Sequence, residues 1–278
     1  MPSEPGQWMA QQHQAGRRLC LILDGNHDAR QSLLAGRNLA QYCSLYGETA
    51  VAELAAAGPV ILLLEQVNEP ALVDLLQHPE ANWGWLGSLP GGDLSEVVRH
   101  WRDRLVVGAT GSQALYRFDD NRTLARALAH LPNAQWPAFL GPLVSVCYWH
   151  AGHWCQSENP MPGEYPVPVP APWLNTPNPQ AEVILHANIL RYLLTEHSES
   201  LATLVEFQDP RVWLNQVLQH ARAWQWREPH QLEFLVVHRL EEATQGSVIR
   251  WPPMEGEAPA DHFERVVEQW QRLGDKHE

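Results

Sequence analysis

Lysine is nearly missing from this chain. Lys276 is the only one, and arginine supplies the other 18 of its 19 basic residues. Against 32 acidic residues this leaves a formal net charge of −13, which argues against a nucleic-acid phosphate backbone as partner. No run of about 18 apolar residues is present, so no membrane span is expected. Residues 1–18 are polar and lack the apolar segment of a signal peptide. Cysteine is sparse: Cys20, Cys43, Cys147 and Cys155 show no spacing of a small disulfide-stapled domain. Cys20 sits inside an apolar stretch, as a reduced buried thiol would. Together these features favour a reducing cytoplasm.

Catalytic signatures are missing too. There is no Walker A loop, no G-x-G-x-x-G after a strand and no G-x-S-x-G elbow; Gly111-Ser112-Gln113-Ala114 lacks its second glycine. Gly25-Asn26-His27-Asp28 matches a metal-site tetrapeptide of metallophosphoesterases. Its companions are absent, since no D-x-H or G-D-x-x-D precedes it and the downstream G-H-x-H reads Gly152-His153-Trp154-Cys155. Cys147, His150, His153 and Cys155 are close enough in sequence to suggest zinc. A strand, however, puts Cys147 and His150 on opposite faces, and a two-residue turn at Ala151-Gly152 would set His150, not Cys147, against its counterpart. Neighbours Asp119 and Asp120 fit a helix cap better than an acid–base pair. No metal site, cofactor or catalytic residue is therefore assigned.

What the chain has in quantity is tryptophan, 13 in 278 residues, with 45% apolar residues overall. That is enough for a sizeable core, with aromatic rings left over for contact surfaces. Arginine in place of lysine gives planar multi-donor groups suited to protein interfaces. Acid is concentrated late: residues 1–157 carry 14 acids and 10 bases, residues 158–278 carry 18 and 9.

Leu19-Cys20-Leu21-Ile22-Leu23 and Val60-Ile61-Leu62-Leu63-Leu64 are unbroken apolar runs, expected as strands covered on both faces. Helices are expected near Asp28–Leu34 and Glu48–Ala56. Another opens at Asp93-Leu94-Ser95-Glu96 and lines up Leu94, Val97, Val98, Trp101 and Leu105. Asp119 or Asp120 caps a helix with Leu124, Leu128 and Leu131, ended by Pro132. Leu143 to Trp149 reads as a strand. Residues 160–179 hold eight of the 22 prolines, an extended stretch that joins neither helix nor central strand. Beyond it, Asn178-Pro179 starts a helix striped by Val183, Ala187, Leu190 and Leu194. Asp209-Pro210 starts one striped by Trp213, Val217, Ala221 and Trp224. A helix from about Pro229 and a last one with Phe263, Val266, Val267 and Trp270, ending at Gly274, follow. The expected organisation is an α/β domain over 1–157 (a mixed sheet with helices on its faces), a proline-rich linker over 158–179 and a smaller all-α lobe over 180–278.

The order of several short stations carries further information. Leu23-Asp24-Gly25 ends the first strand, Ser44-Leu45-Tyr46-Gly47 follows, and Gly58-Pro59 opens the second strand. Then come Trp83-Gly84, a helix with His100 and Arg104, Arg117-Phe118-Asp119, and Gly141-Pro142. In this order, residues from about Leu19 to Val146 resemble the N-terminal domain of type VI secretion effector chaperones, often called Tap or VasW-like adaptors. The family tends to place a tyrosine after the phenylalanine and a proline after the aspartate; here Asp119 follows Phe118 directly and no proline occurs until Pro132. The resemblance implies a non-enzymatic cytoplasmic adaptor, with the helical half as the variable lobe. It would hold a cognate toxic effector and bring it to the VgrG spike, with neither nucleic acid nor membrane as partner.

Such binding needs exposed aromatic and apolar surface. Trp224 and Trp226 cannot both face the same helix core, because residues two apart point away from each other. One of them, Trp226, then becomes a contact candidate, with Trp213, Arg222, Trp224 and Arg227 nearby in sequence. A metal-dependent hydrolase using residues 25–28, and a general scaffold, are the competing readings.

Overall fold

The computed structural model describes residues 4–38, 40–66, 68–91, 93–107, 114–245 and 251–274. It forms two compact units, Met1–Asn178 and Pro179–Glu278, of which the first is α/β and the second all-α.

The first unit begins with helix α1 (Glu4–Gln14), strand β1 (Arg18–Leu23), α2 (Ala29–Leu34), β2 (Tyr42–Ser44), β3 (Val60–Leu64) and α3 (Pro70–Gln77). It continues with β4 (Gly84–Leu89), α4 (Ser95–Asp103), β5 (Val106–Val107), β6 (Ala114–Leu115), α5 (Asn121–His130), α6 (Trp136–Leu140), β7 (Ser145–His150) and β8 (His153–Glu158). Six strands make one sheet in the order β2-β3-β1-β4-β7-β8, while β5 and β6 pair separately. Every pairing is antiparallel.

The unbroken apolar runs are explained by two cores. Cys20 and Ile22 of β1, with Ile61 and Leu63 of β3, face a core shared with α4, α5 and α6. Leu19, Leu21 and Leu23, with Val60, Leu62 and Leu64, face a second core holding Trp8 of α1, Leu33 of α2, and Leu72 and Leu75 of α3. Helices thus cover both sheet faces, so successive residues of a central strand are all buried.

The α4 stripe is buried as expected. Its Trp101 stacks on Phe118 at 4.6 Å and meets Trp85 and Phe139 edge-on at 5.6 and 5.7 Å. Asp120 caps α5 by accepting the Arg122 N–H at 2.9 Å. The proline-rich segment is not loose chain: Ala171 and Trp173 are buried in the first core, with the Trp173 ring 5.4 Å from Phe139.

Two further side chains of α4 tie this core together. His100 donates its Nε2–H to the Phe139 carbonyl at 2.8 Å. Arg104 spreads its guanidinium over the carbonyls of His100, Ala138 and Tyr165 at 2.8–3.2 Å. Gly141 lies against His100 with φ +62°, and a Cβ there would stand 2.2 Å from the imidazole, so only glycine fits.

One expected helix is absent. Residues 48–56 contain a single 3₁₀ turn, Ala52–Leu54. Thr49 Oγ1 donates to the Tyr46 carbonyl at 2.6 Å and accepts the Val51 N–H at 3.2 Å. A hydroxyl that serves the backbone locally in this way competes with helix formation.

The second unit contains α7 (Ala181–Glu196), α8 (Ser198–Val205), α9 (Pro210–Ala223), α10 (Pro229–Gln245) and α11 (Pro259–Gly274). Asp209 caps α9 as expected, accepting the Arg211 N–H at 2.7 Å with Pro210 in the first turn. Helix α7 starts at Ala181, two residues beyond Pro179. Among the described residues no helix is long and apolar enough to cross a membrane.

Two outcomes follow for the α4 clamp. Arg104→Ala leaves three carbonyls without their donor and lowers stability by about 3 kcal/mol or more in denaturant unfolding. Arg104→Lys recovers little of it, because an ammonium cannot span three acceptors as the planar fork does. Burial, then the neighbouring Arg104 charge, lowers the His100 pKa to about 3 from its ordinary 6.5. The unfolded chain therefore binds a proton that the folded one refuses, so stability falls as pH drops from about 6.5 towards 3. His100→Gln should flatten that part of the pH–stability curve.

Candidate functional site

Several of the stations that suggested a family meet at the C-terminal end of β1, while His100, Arg104 and Gly141 belong to the α4 clamp. A Cβ on Gly25 would fall 2.1 Å from the Gly58 carbonyl oxygen, and one on Gly58 would strike the Tyr46 ring at 2.4 Å. Arg117 reaches Asp24 at 3.5 Å. Asp119 is buried, which pushes its carboxyl up to about 6 against the opposing pull of Arg117. Trp85 Nε1–H donates to the Phe118 carbonyl at 2.9 Å. These residues lock five chain segments against each other, so the stations record packing constraints on the fold.

The Gly25–Asp28 turn is likewise occupied by its own backbone. Asp24 Oδ1 accepts the Asn26 N–H at 2.9 Å, and His27 Nδ1 accepts the Ala29 N–H at 3.2 Å. The β7–β8 hairpin turns on Ala151 and Gly152, both with positive φ, the geometry of a two-residue type I′ turn. It sets His150 opposite His153, but Cys147 opposite Gln156 and Cys155 opposite Tyr148. Burial raises the thiols of Cys147 and Cys155, the former to about 12. Among the described residues no group of three or more His, Cys, Asp or Glu is placed to hold a metal ion. Gly111-Ser112-Gln113 and Lys276 lie outside the described residues.

The helical unit presents a different surface. Of the 12 large apolar side chains exposed among the described residues, six fall between residues 183 and 212: Val183, Ile184, Leu194, Val205, Phe207 and Val212. Val183 and Phe207 are 69% and 60% exposed. The α7 stripe expected to be core is divided: Val183, Ala187 and Leu194 are exposed, while half-buried Leu190 packs inward with Leu185, Ile189, Tyr192 and Leu193. Between α7 and α10 runs a groove of about 520 Å³, floored by Leu185, Ile189, Leu232 and Val236 and edged by Arg227 and Glu233. Tyr192 donates its hydroxyl to Glu233 at 2.8 Å.

The five residues singled out from the sequence separate on this unit. Trp213 and Trp226 are 5% and 1% exposed, so neither ring is a surface contact in this fold. Trp226 is misplaced by the sequence reading because α9 ends at Ala223 and the chain leaves the helix. Gln225 adopts φ +58°, its N–H bonds the Arg222 carbonyl at 3.1 Å, and the Trp226 N–H bonds the Ala221 carbonyl at 2.9 Å. That is a Schellman closure with glutamine where glycine usually sits. It swings Trp226 inward beside Trp224, ring centroids 5.0 Å apart. Trp224 is half-buried and stacks on His220 at 5.5 Å. Arg222 is exposed and paired with Glu182 at 2.5 Å. Arg227, also exposed, is the one that lines the groove.

The outward face of α7 was not legible beforehand, because apolar residues at helical spacing read the same whether they meet a core or a partner. The contrast between the two tryptophans can be measured. Trp226→Ala should cost about 3–5 kcal/mol in equilibrium unfolding, as for other buried aromatic truncations, and Trp224→Ala markedly less.

Comparison with known proteins bears on the first unit. Residues 19–138 match the family model described as a domain of unknown function (DUF4123). No curated protein and no solved structure matches the chain.

Proposed function

We propose that this chain is a non-enzymatic chaperone-adaptor of a type VI secretion system, which holds a toxic effector in the cytoplasm and brings it to the VgrG spike. Two lines support the reading. The matched family segment covers all but the last of the stations whose order resembles such adaptors. The observation that carries the binding role is the apolar surface of the helical unit, where exposed side chains of α7, α8 and α9 accompany the groove between α7 and α10.

A large apolar surface left in water is unfavourable by about 25 cal/mol per Å², and exposed patches of this kind mark binding surfaces. An effector held there would keep its own apolar segments from aggregating before export. Arg227 and Glu233 at the groove edge supply the polar rim that favours one partner over others. The rigid sheet of the first unit gives a second, separate frame, as expected of a protein that must engage two partners in turn.

The competing hydrolase reading would draw on Asn26, His27 and Asp28. It receives no support from their geometry: His27 Nδ1 is taken by the Ala29 N–H, and among the described residues no group of three or more His, Cys, Asp or Glu is placed to hold a metal ion.

The test is co-expression with a candidate toxin and spike protein encoded beside this chain, followed by titration of the purified proteins. Val183→Asp combined with Phe207→Asp should weaken effector binding at least about tenfold, the scale of one or two hot-spot residues, with little change in melting temperature. Unchanged affinity in the folded double variant would remove the helical surface from the account.

A further inference from the structure

The two edges of the six-stranded sheet are treated differently. At the β2 edge only three residues are exposed to pairing, and the Ser44 carbonyl is taken by Arg102 Nη2 at 3.0 Å. Arg102 in turn holds Glu48 at 2.8 Å. A side chain blocks that edge, which is one way proteins prevent unwanted strand addition.

The opposite edge, β8, is six residues long and among the described residues pairs with β7 alone. Its register fixes which backbone groups are used. The Asn159 N–H bonds the Val144 carbonyl at 2.8 Å, so by alternation Ser157, Cys155 and His153 exchange hydrogen bonds with β7. Trp154, Gln156 and Glu158 then point their N–H and C=O groups away from the sheet. No described residue supplies a hydrogen-bond partner to these groups. They form a row about 13 Å long, and only an extended chain can satisfy such a row at its own spacing.

The side chains of the same three residues share one sheet face and define what would lie there. Trp154 is half-buried, with its ring 6.2 Å from Trp83 and 5.6 Å from Trp149, leaving part of an aromatic platform open. Glu158 is exposed and has no ion-pair partner among the described residues. An antiparallel neighbour would place a residue opposite Glu158 and, four positions later, one opposite Trp154. Cross-strand pairing favours a cation at the first place and an apolar or aromatic side chain at the second. A second copy of this chain fits poorly. A two-fold axis through Gln156 would set each Glu158 against a tryptophan, in an assembly of two chains of net charge −13.

We infer that β8 accepts an extended basic-x-x-x-apolar segment of a partner protein as a seventh, antiparallel strand. The inference rests on the adaptor reading for the existence of that partner, but uses the α/β unit rather than the helical surface.

The test uses the full chain with the toxin and with the spike protein encoded beside it, each titrated separately. Hydrogen exchange at the Trp154, Gln156 and Glu158 amides is followed with and without each partner. Exchange should be fast in the free chain and at least tenfold slower in one of the two complexes. Gln156→Pro removes one outward N–H without touching the β7 ladder. It should weaken that complex at least tenfold while the melting temperature holds, and Glu158→Arg should weaken it less. A complex in which these amides exchange at the free rate overturns the inference and leaves the adaptor reading standing. So does full affinity in folded Gln156→Pro. If Gln156→Pro does not fold, the exchange result on the unaltered chain decides alone. Failure of both proteins to form any complex removes the adaptor reading, and this inference with it.

Discussion

The guanidinium of Arg104 is buried in the first unit, held by three backbone carbonyls instead of a carboxylate. Burial depresses its pKa to about 10, which still leaves it charged at neutral pH. Placing a cation there is costly unless every donor is used, and its acceptors come from α4, α6 and the segment leading to Trp173. That one group fixes where the helices on this side of the sheet lie. Trp173 is set over it at 5.6 Å, and Trp101 is brought into contact with Trp85, Phe118 and Phe139. The proline-rich stretch, which would otherwise be free to wander, becomes part of the first core.

The two units make opposite use of apolar side chains. In the first they are spent on a sheet buried on both faces, and the open feature is a backbone edge. In the second the inner faces of the helices pack around Trp213, Trp226 and Trp251, while the outer faces keep Val183, Leu194 and Val212 in solvent, as the α8–α9 turn does Phe207. A chain built to grip one partner by side chains and another by main chain would look like this.

Much of the fold could be read from the residues. β1 and β3 follow from unbroken apolar runs, α5 from Asp120 and Pro132, α9 from Asp209-Pro210, and the β7–β8 turn from Ala151-Gly152. What could not be read has identifiable causes. Thr49 bonds its neighbours locally and melts the helix expected around residue 52. The α7 stripe has core spacing, yet only Leu190 of its four residues meets the core. Gln225 hides a helix end that glycine would have announced, so the argument that Trp224 and Trp226 point apart failed at its premise. The groove between α7 and α10 involves residues some 40 positions apart, such as Tyr192 and Glu233, and no local pattern encodes that.

The central claim is that this chain keeps a toxin competent for loading on a spike. The most direct measurement is the yield and oligomeric state of the neighbouring putative effector, expressed with and without this chain and passed over a sizing column. The account predicts a defined complex when both are present and aggregated or degraded effector when this chain is left out. Effector that stays monomeric and well folded alone, and elutes separately from this chain when the two are combined, would contradict it.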